Sequence, residues 1–327
     1  MRRREFIAAV AASALPHGAW AQQSSPIRRM GVLMGFPEGD TLAQSYVAAM
    51  RQKLAGLGWV EHRNIQIVHR WGGGDPEKTR AFAKELVGMS PSVIVTSTNQ
   101  ATETMRQETQ TIPIVFASLG DPVGSGLVAS MNRPGGNVTG FPAFVETMGD
   151  KWLELMKEVA PGATRIGFIH HPGVAPHRGL VRAAQAAAAP LKINLVPLPV
   201  HNAEEITAAI TTFASGGYGG LVTGSHAVTY SNRELLIRLA AQHRLPSLFG
   251  DPLFAESGAL LSYGSDQTEM FVGAASYVDQ ILKGSKPAEM PVQMPTKFNF
   301  IINLKTAEAI GLTIPPAMLA RADRVIE

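Results

Sequence analysis

The chain has 327 residues, of which 45% are hydrophobic and 17% are charged, and it contains no cysteine. This length predicts about two domains, and the apolar content excludes a disordered chain. The lack of cysteine excludes disulfide bonds, thiolate metal sites, cysteine nucleophiles and a lipoprotein anchor. The formal net charge is +3, and no dense run of Lys and Arg follows the N-terminal leader, so nucleic-acid binding has little support.

The N-terminus has the pattern of an export signal. A basic run at residues 2–4 precedes a short apolar segment, 7–15, and a small-x-small cleavage site at 19–21. We therefore predict that residues 1–21 are a cleaved signal peptide and that the mature protein is free and soluble in the periplasm. The segment 3–7 also resembles a twin-arginine motif, which leaves the Sec and twin-arginine routes both open. The apolar run is shorter than the ~20 residues that a transmembrane helix needs.

The rest of the chain alternates short apolar runs with segments of helical periodicity, which predicts an α/β architecture. The predicted strands are 30–34, 65–68, 92–95 and 114–117, and then, after Gly140, 165–169, 193–198, 220–223 and 246–249. The predicted helices are 41–57, one from Asp75, one ending near 110, 148–159, an alanine-rich helix after 169, one from Asn202, and one from Ser231 to His243. A βαβα order implies a parallel sheet covered by helices on both faces, so the sequence predicts two such units.

Several helix starts are marked by capping residues. Asp75 stands before Pro76, which is the pattern of an N-cap followed by proline at the first helical position. Asn202, Ser231 and Asp266 each precede a glutamate by three residues, as in a capping pair. These residues predict where four of the helices begin.

The C-terminal part is expected to be shared between the two units. It contains a predicted strand at 259–263, a helix at 266–283, and a strand at 297–303 that leads into a short helix. We predict that lobe 1 comprises 28–140 plus about 251–291 and that lobe 2 comprises 141–250 plus about 292–327. The turn-rich run 133–140 would be the first crossing. Several crossings make a multi-strand hinge, and hinge closure around a ligand is a recurrent motion.

Motifs spread over almost the whole mature chain carry a resemblance to a known family. They lie at 56–65 (GLGWVEHRNI), 120–128 (GDPVGSGLV), 133–140 (RPGGNVTG), 295–298 with 302–307 (PTKF and INLKTA) and 311–316 (GLTIPP). The chain resembles the ABC-transporter substrate-binding proteins described as tryptophan/tyrosine transport system substrate-binding proteins, which have a type I periplasmic binding fold. The resemblance implies a two-lobed binder, without catalysis or cofactor, that hands a small solute to ABC permease and ATPase subunits in the inner membrane.

Polar residues that follow predicted strands are the candidate ligand contacts, because ligands of open α/β sheets bind beyond the carboxyl ends of strands. Ser97, Thr98 and Asn99 stand at a helix start, where free N–H groups and the helix dipole favour a carboxylate. Simple N-capping is the alternative. Ser118 is a second donor for a carboxylate. Asp121 is a candidate acceptor for an ammonium group, although a local turn before a proline explains it equally well.

Further candidates come from the first loop and from the second unit. Gly35 and Phe36 open the loop after the first strand, where the ring could stack on a planar ligand; a surface loop with a half-exposed aromatic residue is the alternative. Phe141 is a candidate apolar wall beyond the first crossing. In the second unit the candidates are His171, Ser225 and Asp251, from the strand-end segments 170–171, 223–226 and 250–251.

Metal and catalytic sites have little support. The histidines at 170, 171 and 177 lack the helical i, i+4 pairing of zinc motifs, and no metal is predicted. Ser225 and His226 do not predict a catalytic pair, because residues adjacent in sequence rarely orient a base onto its nucleophile. We therefore expect a monomeric periplasmic solute-binding component of an ABC importer. Its solute should be a small organic molecule with a carboxylate, and aromatic or other amino acids are candidates. An exported α/β enzyme and a ligand-binding sensor partner of a membrane receptor are the alternatives.

Overall fold

The computed structural model describes residues 27–144, 148–224 and 226–327, so the predicted signal peptide lies outside the described residues. The first part contains β1 (Arg28–Met34), α1 (Thr41–Gly56), β2 (Ile65–Trp71), α2 (Pro76–Gly88), β3 (Val93–Ser97), α3 (Asn99–Glu108), β4 (Ile114–Gly120) and β5 (Val138–Phe144). The second contains α4 (Met148–Val159), β6 (Arg165–His170), α5 (Ala175–Ala188), β7 (Asn194–Pro199), α6 (Ala203–Ser215), β8 (Gly220–Thr223), α7 (Ala227–Ser231), α8 (Arg233–Gln242), β9 (Ser247–Phe249), α9 (Pro252–Glu256) and β10 (Leu261–Ser265). The last contains α10 (Gln267–Leu282), β11 (Phe298–Asn303), α11 (Leu304–Ile310), α12 (Pro316–Arg321) and β12 (Arg324–Ile326).

Lobe 1 is built on a five-stranded parallel sheet with the order β2-β1-β3-β4-β5. Strands β1, β3 and β4 are almost continuously buried, as expected for a parallel sheet that is covered on both faces, whereas the edge strand β2 is mostly half-buried. Helix α10 returns to this lobe from late in the chain and packs against α1, β4 and β5. The rings of Tyr46 and Phe271 stack with centroids 5.4 Å apart in this contact.

Lobe 2 is built on a seven-stranded sheet with the order β12-β11-β10-β9-β8-β6-β7. Its pairs are parallel except β10 with β11, which is antiparallel. Trp152 of α4 is fully buried in the core, and its indole N–H donates to the carbonyl oxygen of Tyr263 at 2.9 Å. The predicted α/β fold with two sheet-based lobes is confirmed, with one antiparallel pair that the sequence reasoning did not anticipate.

The predicted lobe boundaries need two corrections. Strand β10 pairs with β9 and β11, so the chain stays in lobe 2 until Ser265, whereas we had expected it to enter lobe 1 near residue 251. Strand β5 pairs with β4 as far as Phe144, so the first crossing follows Phe144 and not Gly140. The other crossings lie at 265–267 and 293–298, and Ser265 Oγ donates to the carbonyl oxygen of Ala143 at 2.6 Å, which ties two of them together.

Most of the predicted helix starts are confirmed. Asp75, Asn202 and Asp266 each accept a backbone N–H of the first helical turn. The capping pair predicted at Ser231 is wrong, because the short helix α7 ends at that residue. Asn232 instead separates two helices, and its side chain donates to the carbonyl oxygen of Val228 at 2.9 Å. Among the described helices, none has the length and apolar character needed to cross a membrane.

Candidate solute-binding cleft

The carboxyl ends of strands from both sheets meet between the lobes and enclose a small cavity. Its walls are Thr98, Asn99 and the end of β4 from lobe 1, His226 and Tyr230 from lobe 2, and Ala143 near the hinge. The cavity measures about 10 Å³, roughly the space of one water molecule. Binding pockets for small organic molecules usually enclose about 300–1,000 Å³, so binding such a solute requires side chains or lobes to move apart.

The lobe 1 wall is held in a strained backbone conformation. Thr98 has φ +70° and Ser118 has φ +66°, a region in which a β-branched residue is a genuine outlier. The N–H of Thr98 donates to the carbonyl oxygen of Ser118 at 3.2 Å, so the two strained residues support each other. Such strain costs of order 1–3 kcal/mol per residue and clusters at ligand sites. This wall is therefore the part of lobe 1 with the strongest signature of a site.

Two of the predicted contact residues in this wall form hydrogen bonds within lobe 1. Asn99 bridges to Gly120, donating to its carbonyl oxygen at 2.8 Å and accepting from its N–H at 2.9 Å. Ser97 Oγ accepts the N–H of Gly35 at 2.9 Å. A Cβ on Gly35 would lie 2.3 Å from Thr98 Oγ1. Glycine thus allows close packing behind the wall, and direct solute contact by Gly35 or Ser97 stays a prediction.

Three of the predicted contact residues bond or pack within the protein itself, namely Asp121, Phe141 and Phe36. Asp121 accepts the N–H of Gly124 at 2.8 Å, which is the local turn role that we had considered as the alternative. Phe141 packs against Tyr277 within lobe 1, with ring centroids 4.8 Å apart. Phe36 is only 1% exposed, which is contrary to a half-exposed surface ring. Its role in stacking on a solute stays a prediction.

An aromatic and acidic group forms the lobe 2 wall. Tyr230 lies against Phe36 across the cleft with ring centroids 4.8 Å apart, and its hydroxyl donates to Asp251 Oδ2 at 2.6 Å. Asp251 is fully buried and also accepts the N–H of Leu253 at 2.8 Å. Burial raises the pKa of Asp251 from 3.8 to about 6, against the opposing effect of its hydrogen bonds. A cationic group close to Asp251 would therefore stabilise the ionised form of its side chain.

Histidines surround the other end of this wall. The rings of His171 and His226 lie 4.7 Å apart, and those of His177 and His226 lie 5.3 Å apart. Burial lowers the pKa of His171 and lowers that of His226 well below its ordinary range. Within the described ranges, no group of three or more potential ligand side chains is arranged to hold a metal ion. Ser225, which we had predicted as a contact, lies outside the described residues.

The structure brings together Thr98, Asn99 and Ser118 with two residues that were not predicted as contacts, His226 and Tyr230. His226 lies in the strand-end segment 223–226, in which the predicted contact is its neighbour Ser225. Tyr230 carried no sequence signal, because it lies on a helix that was not predicted.

The two lobes also touch through an ion pair. Arg233 Nη1 donates to Asp40 Oδ2 at 2.6 Å, and the Asp40 side chain is almost completely buried. Asp40 Oδ1 at the same time caps α1 by accepting the N–H groups of Leu42 and Ala43. Ser231 Oγ adds a contact to the carbonyl oxygen of Gly73 at 3.3 Å. These contacts and the Phe36–Tyr230 pair hold the lobes together over the cavity.

Comparisons with known proteins agree with this architecture. The family described as ABC transporter substrate binding protein matches residues 33–326. A curated tyrosine-binding protein from Clostridioides difficile is 25% identical over 280 residues, which cover 86% of this chain and 79% of that protein.

Two solved structures are similar over nearly their whole length. An ABC domain from Streptococcus pneumoniae in complex with L-Trp has a TM-score of 0.85 and 26% identity, covering 92% of this chain and 100% of that one. A conserved domain protein from Vibrio cholerae has a TM-score of 0.83 and 29% identity, covering 91% and 99%. The fold, the interlobe cleft and the match over residues 33–326 together show that this chain belongs to the family of ABC transporter substrate-binding proteins.

Proposed function

We propose that this substrate-binding protein takes an α-amino acid with an aromatic side chain into the interlobe cleft and presents it to an ABC permease. The observation that carries the proposal is the pairing of two kinds of wall. Lobe 1 offers the hydroxyls of Thr98 and Ser118 at the N-terminus of α3. Lobe 2 offers a buried carboxylate, Asp251, beside the ring of Tyr230.

The chemistry of these walls matches the two charges of an amino acid. A helix N-terminus with neighbouring hydroxyls favours a carboxylate. The free energy of burying Asp251 is offset when an ammonium group approaches it. Phe36 and Tyr230 supply flat apolar faces for an aromatic side chain. The names of the similar proteins, a tyrosine-binding protein and a structure with L-Trp, support the same class of solute.

The remaining parts of the proposal concern transport. The protein acts as a periplasmic monomer, exported by residues 1–21, and its partners are the permease and ATPase subunits. It binds without chemical turnover. A receptor protein that reads the same solute stays the alternative, and steady consumption of the solute would instead indicate an enzyme.

The test is a thermal-shift screen of residues 22–327, followed by calorimetric titration. The ligands are L-tryptophan, L-tyrosine and L-phenylalanine, with L-leucine, tryptamine and D-ribose as comparison compounds. Ligand at 100 times its dissociation constant should add about 2.7 kcal/mol to the stability. Ser118→Ala should weaken binding, and Ser45→Ala, on an exposed face of α1, is the matched control. A well-folded protein that no amino acid stabilises would overturn the proposal.

A further inference from the structure

His226 is fixed in one tautomer by the backbone around it. It caps α7, and its Nδ1 accepts the N–H of Val228 at 3.2 Å. Its own backbone N–H donates to Thr229 Oγ1 at 2.9 Å. A neutral imidazole that accepts at Nδ1 carries its proton on Nε2. The side chain is 93% buried, since 7% of it is exposed, so the ring cannot turn without losing the cap.

The surroundings keep this ring neutral. Burial is the largest cause that lowers the pKa of His226, and the neighbouring His177 and His171 lower it further. The Nδ1 atoms of those two residues are also acceptors, for the N–H of His171 at 3.0 Å and of Gly173 at 3.2 Å. Nε2 ligation of a metal would require a proton on Nδ1 that donates to an acceptor. The cluster therefore suits hydrogen-bond donation and does not suit metal binding.

Among the described residues, the His226 ring makes its hydrogen bond through Nδ1, to the N–H of Val228, and the residue lines the cleft cavity. Across that cavity stand Thr98 and Ser118, which are hydroxyl donors, and the first turn of α3. No carboxylate lines this cavity among the described residues. Both lobes thus present donors to the same small space, which suits an oxygen acceptor.

We propose that His226 is a specificity-determining residue whose neutral Nε2–H donates to the carboxylate of the bound amino acid, opposite the N-terminus of α3. The inference rests on the proposed function and assigns the orientation of the solute within it. The carboxylate lies between His226 and Ser118, and the ammonium group lies on the side of Tyr230, whose hydroxyl donates to the buried Asp251. Because the two donors belong to different lobes, the carboxylate is fully bound only when the lobes are closed.

Two substitutions separate hydrogen-bond donation from helix capping. His226→Asn keeps a side-chain acceptor for the N–H of Val228, since asparagine is a favoured N-cap, but its short side chain has no donor at the position of Nε2. His226→Gln carries an N–H group near that position. His201→Asn is the matched control, because His201 is exposed and lies outside the cavity lining.

The measurements are the dissociation constant for L-tryptophan, with L-tyrosine in parallel, and the thermal midpoint without ligand. We expect His226→Asn to keep the wild-type midpoint and to bind about 10- to 100-fold more weakly, as for loss of a hydrogen bond to a charged group. His226→Gln should recover most of the affinity. For L-tryptophanamide, which lacks the carboxylate, the loss in His226→Asn should be smaller, because its neutral acceptor makes a weaker bond.

The outcomes distinguish the two proposals. If the wild-type protein binds L-tryptophan and His226→Asn binds it equally well, the role of His226 is refuted while the proposed function stands. An equal loss for L-tryptophan and its amide would also refute the assignment of the carboxylate. If the wild-type protein binds neither amino acid, the proposed function fails and the orientation fails with it.

Discussion

The ion pair between Arg233 and Asp40 should set the affinity, although neither residue lines the cavity. The pair joins α8 of lobe 2 to the start of α1 in lobe 1 at 2.6 Å. It exists only when the lobes are in contact, so its free energy belongs to the closed state alone. The solute binds between closed lobes, so the ion pair contributes to the free energy of binding. A variant that lacks the pair must therefore bind more weakly.

The structure gives the size of the effect. Truncation of one partner of a buried, hydrogen-bonded charge pair costs about 2–5 kcal/mol. The Asp40 side chain is 2% exposed and that of Arg233 is 21% exposed, so water can partly replace the lost partner and the lower end applies. About 2 kcal/mol corresponds to roughly 30-fold in the dissociation constant. We expect Arg233→Met to show this loss for L-tryptophan in calorimetric titration.

Two further variants make the test specific. Asp40→Asn keeps the cap of α1, because asparagine accepts the same N–H groups, and should lose the affinity without loss of thermal stability. Arg238→Met, on the exposed side of the same helix, should bind as the wild type does. The double variant should be no weaker than Arg233→Met, since both changes remove one interaction. Unchanged affinity and unchanged ligand-induced compaction in X-ray scattering for Arg233→Met would refute the reasoning.

Three further predictions concern the walls of the cleft. Gly35→Ala places a Cβ 2.3 Å from Thr98 Oγ1, and denaturant titration should show a loss of about 1–3 kcal/mol through overpacking; an unchanged stability would contradict the close packing. Asn99→Ala removes both hydrogen bonds to Gly120 and should lower the unfolding free energy by about 2–3 kcal/mol, and a value near zero would show that the bridge is not formed. The folded-state pKa of Asp251 is about 6 against 3.8 for the unfolded chain, so the folded protein holds this proton more tightly. The cost of ionising Asp251 is therefore absent below about pH 4 and complete above about pH 6, where it amounts to about 3 kcal/mol. The stability of the wild type relative to Asp251→Asn should fall as the pH rises between these values, and a constant difference would refute the raised pKa.

Local signals in the sequence were reliable guides to the elements. The N-caps Asp75 and Asp266 depend on the bonds of one side chain to the next turn, so a few residues determine them. Lobe membership of β10 depends instead on which sheet edge is free to accept it. Nothing within 259–263 distinguishes pairing with β9 from pairing in lobe 1, and the boundary near 251 was wrong for that reason.

The candidate site was predictable to the extent that strand ends predict it. Thr98, Asn99 and Ser118 follow or end strands and line the cavity. His226 was not predicted as a contact; histidine is an unusual N-cap, and its capping of α7 depends on a helix that the sequence did not reveal. For Phe36 the sequence left open a ring that stacks on a ligand and a half-exposed surface ring, and the second is wrong because Tyr230 of the other lobe covers it. Contacts between lobes do not follow from the periodicity of either one.

Helix α10 completes lobe 1, although the ribosome synthesises it long after the strands of that lobe. The whole of 148–265 separates β5 from α10, yet α10 packs against α1, β4 and β5. Until α10 is present, the rings of Tyr46 and Phe141 lack the partners Phe271 and Tyr277. Such distant contacts slow folding and leave apolar surface exposed in partly made chains. Lobe 1 therefore cannot be completed before α10 has been made, and a fragment that ends at Phe144 should aggregate instead of forming an independent domain.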